Sequence, residues 1–226
     1  MFKIKLLISL MIFLFLSLFV FSQQRIYFDE KGDTISERYA QNKLRDKELG
    51  LVRWDSLGDN KKRYIFLKKS LYQRGSFYYK SIKEELEKIT SQKIPDTNSI
   101  ILEYYYKGDL CSSSRDDKWT AFEINDRKEF LNPIKLQLEQ QGITFICLFE
   151  NGMKLRNRRH RIDEYFYMDR NNYFRDKLFR TQTLCGSFAA IKPNGETLIR
   201  NGEYRADYMA IHLDPEKWTL FFKEDE

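Results

Sequence analysis

Three cysteines and two histidines carry most of the chemistry open to this 226-residue chain. Cys111 ends the stretch "IILEYYYKGDLC", where an apolar, aromatic run of strand length stops at a polar loop. The C-terminal end of a strand is where many folds expose a nucleophile. The same position suits one half of a structural disulfide, and the residues around Cys111 leave both readings open. Cys185 lies in "TLCGS", just before a strand-like segment. Cys147, in "TFICLF", has apolar neighbours on both sides and reads as an inert core thiol. His160 belongs to the basic stretch "KLRNRRHR" (Lys154–Arg161), read as a solvated loop, and His212 lies near the C-terminus. Neither histidine stands at metal-ligand spacing from a cysteine or another histidine, so no zinc site is expected. No glycine-rich phosphate loop follows a strand, and no cofactor is expected. The charged stretches "KEELEK" (Lys83–Lys88) and "DRKEF" (Asp126–Phe130) read as solvated ion pairs on helix faces.

The elements that would position these residues are readable in parts. "RIYFDEKGDTISE" (Arg25–Glu37) alternates around Lys31-Gly32-Asp33 and predicts a hairpin. The following "RYAQNKLRDKELGLVRWDSLGDNKKRYIFLKK" has weak patterning and reads as mixed and irregular. Tyr79, Ile82, Leu86 and Ile89 recur at helical spacing, with Glu84 and Lys88 as an i,i+4 pair. Ser99–Gly108 and Ile143–Gly152 are near-continuous apolar runs, as expected of strands buried on both faces. Between them, Asp126–Gly142 predicts a helix with Phe130, Ile134, Leu138 and Gln141 on one stripe. Pro133 would kink this helix and Gly142 would end it. A short helix capped by Asn171 or Asn172 precedes two strands joined by Pro193-Asn194-Gly195. Arg205–Leu213 predicts a final helix with Tyr208, Met209, Ile211 and Leu213 as its apolar positions.

The first 22 residues carry an address. Lys3 and Lys5 precede an uncharged run from Leu6 to Phe21, and "VFS" before "QQ" has the small-residue pattern of a signal-peptidase site. A cleaved signal peptide over 1–22 is expected, with the mature chain exported to a periplasm or beyond. Contact with a membrane would then be transient. Lys and Arg total 39 against 33 acids, a net +6 dispersed over the chain, and this balance does not predict nucleic-acid binding. Aromatics make up 15% of the sequence and supply apolar area for a real core.

From Ser99 the order is strand, cysteine loop, helix, strand, long loop, short helix, hairpin, helix. This order, with a cysteine directly after the first strand, resembles the thioredoxin superfamily over roughly residues 95–215. The resemblance implies an α/β fold, a thioredoxin-like three-layer sandwich with a mixed central sheet. That domain would cover 95–226, behind an N-terminal extension over 23–94. The family's Cys-x-x-Cys would fall on Cys111 and Ser114, and its cis-proline on Gly186, so both hallmarks are absent. In that fold the two loops touch, which would make Cys111 and Cys185 neighbours able to form a disulfide outside the cytoplasm. Closing that loop would contribute roughly 4 kcal/mol in the chain-entropy model. Two functions follow from the resemblance. One is a redox-silent binding or structural module stapled by Cys111–Cys185. The other is a thiol–disulfide oxidoreductase or isomerase, with Cys111 as nucleophile and Cys185 as resolving cysteine. Either would act on a protein partner or protein substrate.

Overall fold

The computed structural model describes residues 24–58, 62–109, 117–157 and 163–222. The segment expected to be a signal peptide, Cys111, Ser114 and His160 lie outside these residues. The described residues form a mixed α/β structure with a four-stranded sheet, a six-stranded sheet and a two-stranded ribbon.

The first sheet is built by the N-terminal residues. β1 (Arg25–Phe28) turns through Gly32, at φ 95°, into β2 (Thr34–Ile35), and the two pair antiparallel as the hairpin expectation requires. Asp29 braces the turn by accepting the Lys31 and Asp33 N–H groups. Ser36 then caps α1 (Glu37–Arg45), and β3 (Val52–Leu57) and β4 (Arg63–Lys68) complete the order β2-β1-β4-β3. The segment read as irregular is therefore a helix and two strands. Its core is small: Tyr27, Ala40, Leu51, Ile65 and Leu67.

The second sheet begins with β5 (Tyr72–Ser76), followed by α2 (Tyr79–Thr90) and β6 (Ser99–Tyr105). β7 (Lys118–Trp119) leads into α3 (Ala121–Gln140), then β8 (Ile143–Glu150), β9 (Lys154–Leu155) and β10 (Phe166–Asp169). α4 (Tyr173–Lys177), the hairpin β11 (Ser187–Ile191) and β12 (Glu196–Asn201), two 3-10 turns and α5 (Pro215–Trp218) end the described chain. The strand order is β10-β8-β6-β11-β12-β5. β6, β8 and β10 run parallel, while β11, β12 and β5 are added antiparallel. Both faces of β6 are covered. Ile100, Leu102, Tyr104 and Tyr106 pack with Ile82 and Leu86 of α2, and Ile101 and Tyr105 pack with Ile124, Leu131 and Leu138 of α3. Fully burying a side chain such as Leu86 stabilises the fold by roughly 1.5–3 kcal/mol.

Several local expectations need correction. α3 starts five residues before Asp126, because Thr120 and Glu123 form a reciprocal capping box. Its buried stripe is Ile124, Leu131 and Leu138, and Phe130 is exposed. Lys88 pairs with Glu85, and Glu84 faces Lys80, in place of the predicted Glu84–Lys88 pair. Neither Asn171 nor Asn172 caps α4 with its side chain; the Asp169 carboxylate accepts the Phe174 and Arg175 N–H groups instead. In place of the final α-helix over 205–213 there are two 3-10 turns with Met209 between them; Met209 and Ala206 are buried, while Tyr208 and Ile211 are exposed.

Candidate functional site

Beyond Tyr105 the chain leaves β6 through a turn in which Gly108 takes φ 73°. Asp109 follows with only 3% exposure, which places a carboxylate inside the protein. Burying it costs free energy unless donors meet it. They come from the loop ahead of β11: the backbone N–H groups of Cys185 and Gly186 donate to Oδ1 and Oδ2 at 2.9 and 2.8 Å. Cys185 and Gly186 both sit at positive φ, 68° and 73°, which turns two successive N–H groups toward one anion. Gly186 is required there for a second reason. A Cβ on it would stand 2.8 Å from the Tyr104 carbonyl oxygen.

The loop is held from three further sides. Gln182 donates its side-chain amide to the Lys107 carbonyl at 2.7 Å. Leu184 N–H donates to the Asp55 carbonyl of β3 at 3.0 Å, so the N-terminal sheet lies against this loop. Beneath it, Thr183 Oγ1 sits 3.0 Å from Ser187 Oγ, which accepts from the Tyr106 hydroxyl at 3.1 Å. The end of β6 and the loop carrying Cys185 are thus in direct contact, as the resemblance implied. Cys111, two residues past Asp109, lies outside the described residues. Gly186, which the resemblance would set at the family's cis-proline, takes a left-handed backbone, and the described residues contain no cis peptide bond.

Cys147 is a free, fully buried thiol in the middle of β8. It is not surrounded by hydrocarbon alone. Its Sγ donates to Oε2 of Glu103, a carboxylate with no exposed surface, at 3.1 Å. Arg127 of α3 reaches the same carboxylate at 2.6 Å and donates to the Tyr105 hydroxyl at 2.9 Å, while the Tyr204 hydroxyl donates to Oε1 at 2.8 Å. Burial and the adjacent Glu103 push the Cys147 thiol well above its ordinary pKa, which keeps it protonated and unreactive. Burial alone would lower the Arg127 pKa, but Glu103, Tyr105 and Tyr204 turn the shift upward, so the guanidinium stays charged. "DRKEF" therefore does not form the solvated pairs expected of it. Arg127 and Lys128 both turn inward, Lys128 to Glu164 at 2.6 Å. The signal in the sequence was Glu103, a lone acid inside an apolar strand.

His212 stands apart from the cysteines. Its ring is 2.8 Å from the Tyr72 hydroxyl and packs against Phe188 and Phe221. Burial is the main cause of an imidazole pKa below the usual value.

No family description matches the chain, and no characterised protein does. Among solved structures, the pneumococcal exposed lipoprotein thioredoxin of Streptococcus pneumoniae aligns over 72% of this chain and 98% of that chain, at 10% identity and a TM-score of 0.34. A score that low carries no conclusion about fold or function.

Proposed function

We propose that the chain is an exported thioredoxin-like protein, redox-silent, stapled by a Cys111–Cys185 disulfide and used as a binding or structural module toward a protein partner. The thioredoxin-like three-layer assignment draws its support from the order of β8, β6, β11 and β12. A parallel pair joined through a helix is followed by an antiparallel hairpin on the other side of the first strand. Residues 95–226 would carry that domain and 23–94 the extension, which itself supplies β5 as the edge strand beside β12 and α2 as the cover over β6. Export rests on the 1–22 segment, with the membrane met only in transit and nucleic acid not engaged.

One observation carries the redox-silent reading. The successive N–H groups of Leu184, Cys185 and Gly186 are all taken by acceptors within the chain, Asp55 and Asp109. A reactive cysteine needs an accessible thiolate stabilised by neighbouring donors or cations. Here the donors next to Cys185 are already committed to a carboxylate.

The test is a disulfide map of the exported protein together with the variants Cys111→Ser, Cys185→Ser and the double change. The expected outcome is a Cys111–Cys185 cross-linked peptide and a similar loss of stability in each single variant. The double variant should lose little more, the non-additivity of one shared bond. If Cys111 instead traps mixed disulfides with other proteins once Cys185 is replaced, the redox-silent reading is wrong. N-terminal sequencing should find the mature chain starting near Gln23.

A further inference from the structure

Asp109 contributes more than a filled hydrogen-bond inventory. Its carboxylate is held against the backbone of a cysteine, and the distance that matters is the one to sulfur. Covalent geometry keeps a cysteine Sγ within about 4 Å of its own backbone nitrogen. That nitrogen is 2.9 Å from Oδ1 of Asp109, so sulfur and carboxylate lie within about 7 Å of each other. At 3% exposure the carboxylate is poorly screened by solvent and salt.

Several other charged and titratable groups approach this loop among the described residues. Asp117 accepts the Gly108 N–H, and Asp55 on β3 is paired with Arg53 at 2.6 Å. Lys107 meets the loop through its carbonyl, and the Tyr204 hydroxyl lies 3.8 Å from where a Gly186 Cβ would stand.

We infer that Asp109 is a positioning residue for Cys185: its carboxylate locks the left-handed Cys185–Gly186 turn and disfavours the Cys185 thiolate, biasing this sulfur toward a disulfide and away from nucleophilic attack. The inference deepens the staple reading, and it relies on that reading only for the identity of the partner sulfur. The two can fail separately. The cross-linked peptide tests the pairing, whereas thiolate energetics test Asp109.

The experiment uses the full chain carrying Cys111→Ser, in which Cys185 is left as the one thiol outside the core, since Cys147 is buried. Iodoacetamide is the probe. The thiolate attacks its methylene carbon, a carbon–sulfur bond forms and iodide leaves. The alkylation rate against pH gives the midpoint of Cys185, and peptide mapping confirms the alkylated residue. With Asp109 intact the midpoint should lie above the unperturbed value of about 8.5. Adding Asp109→Asn should lower it by about one pH unit, because a charge at that separation is removed. The rate at pH 7 should then rise about threefold, after allowing for the weaker intrinsic nucleophilicity of a more acidic thiol. A loop that merely loosened would raise the plateau and leave the midpoint in place, which would overturn the inference. A midpoint at or below 8.5 in the Asp109-containing chain would overturn it too, without reference to how well the Asn variant folds.

Discussion

Replacing Arg127 by Met removes the cation that faces Glu103 while keeping a long side chain on α3. Glu103 is fully buried, and of its three donors among the described residues the guanidinium at 2.6 Å is the charged one. Breaking a buried pair from one side typically costs 3–5 kcal/mol, because an uncompensated charge remains. Arg127 is less enclosed than Glu103, with 29% of its side chain exposed, so water can partly replace it and the lower figure applies. A loss of about 3 kcal/mol is expected, a large share of the ~5–15 kcal/mol of a folded domain. Urea denaturation would read it as a fall in midpoint at constant slope, and melting temperature should drop by about 10 °C. Glu103→Leu combined with Arg127→Met should recover much of that loss, since it removes the stranded charge as well. If Arg127→Met costs under 1 kcal/mol, or the double variant is no better than the single, the pair does not act as a buried unit.

Gly186→Ala should cost at least ~1–2 kcal/mol for the left-handed backbone alone. The collision at 2.8 Å with the Tyr104 carbonyl would add to this, so the thermal midpoint should fall more than for an alanine at open-sided Gly32. His212 gives a pH signature. Its folded-state pKa is depressed, so the unfolded chain binds the extra proton, and the stability it contributes is full above about pH 6.5 and lost as pH falls below that. Denaturation curves from pH 7.5 to 5 should show the decline in the parent and a flatter profile in His212→Gln.

The sequence displays most plainly what depends on neighbours along the chain. β6 and β8 are apolar runs of strand length, and α2 shows its period in Tyr79, Ile82 and Leu86. The β11–β12 hairpin is announced by Pro193-Asn194-Gly195. The start of α3 was equally available in Thr120-x-x-Glu123, a capping-box spacing. "RYIFLK" of β4 hides its alternation because both faces are aromatic or aliphatic. Ile65 and Leu67 are buried in the small core, while Phe66 and Tyr64 stack on Phe28. β10 is hidden within what reads as a long loop, since four residues give a period of two little to show. Asp109 had no local mark at all. Its donors are 76 and 77 residues away, and only the meeting of β6 with β11 brings them to it.

Asp109 also belongs to a pattern that explains how this chain ends its elements. Four carboxylates are buried among the described residues: Glu103, Asp109, Glu164 and Asp169. Three of them accept two successive backbone N–H groups. Asp109 takes those of Cys185 and Gly186, Glu164 those of Tyr165 and Phe166, and Asp169 those of Phe174 and Arg175. Each pair lies where a loop meets a strand or helix and the regular ladder offers no acceptor. Orphaned backbone donors are costly when buried, and an ionised carboxylate is a stronger acceptor than a peptide carbonyl. The arrangement has a cost of its own. Burial raises the Asp169 pKa against its backbone donors, and among the described residues no donor reaches its Oδ1. Such a carboxylate persists because removing it would strand two backbone groups at once. The three acids therefore hold backbone, Glu164 taking Lys128 of α3 as well, whereas Glu103, whose donors are all side chains, ties β6 to α3 through the interior of the sheet. On this logic the left-handed Cys185–Gly186 turn into β11 is kept in shape by an anion from the turn that follows β6.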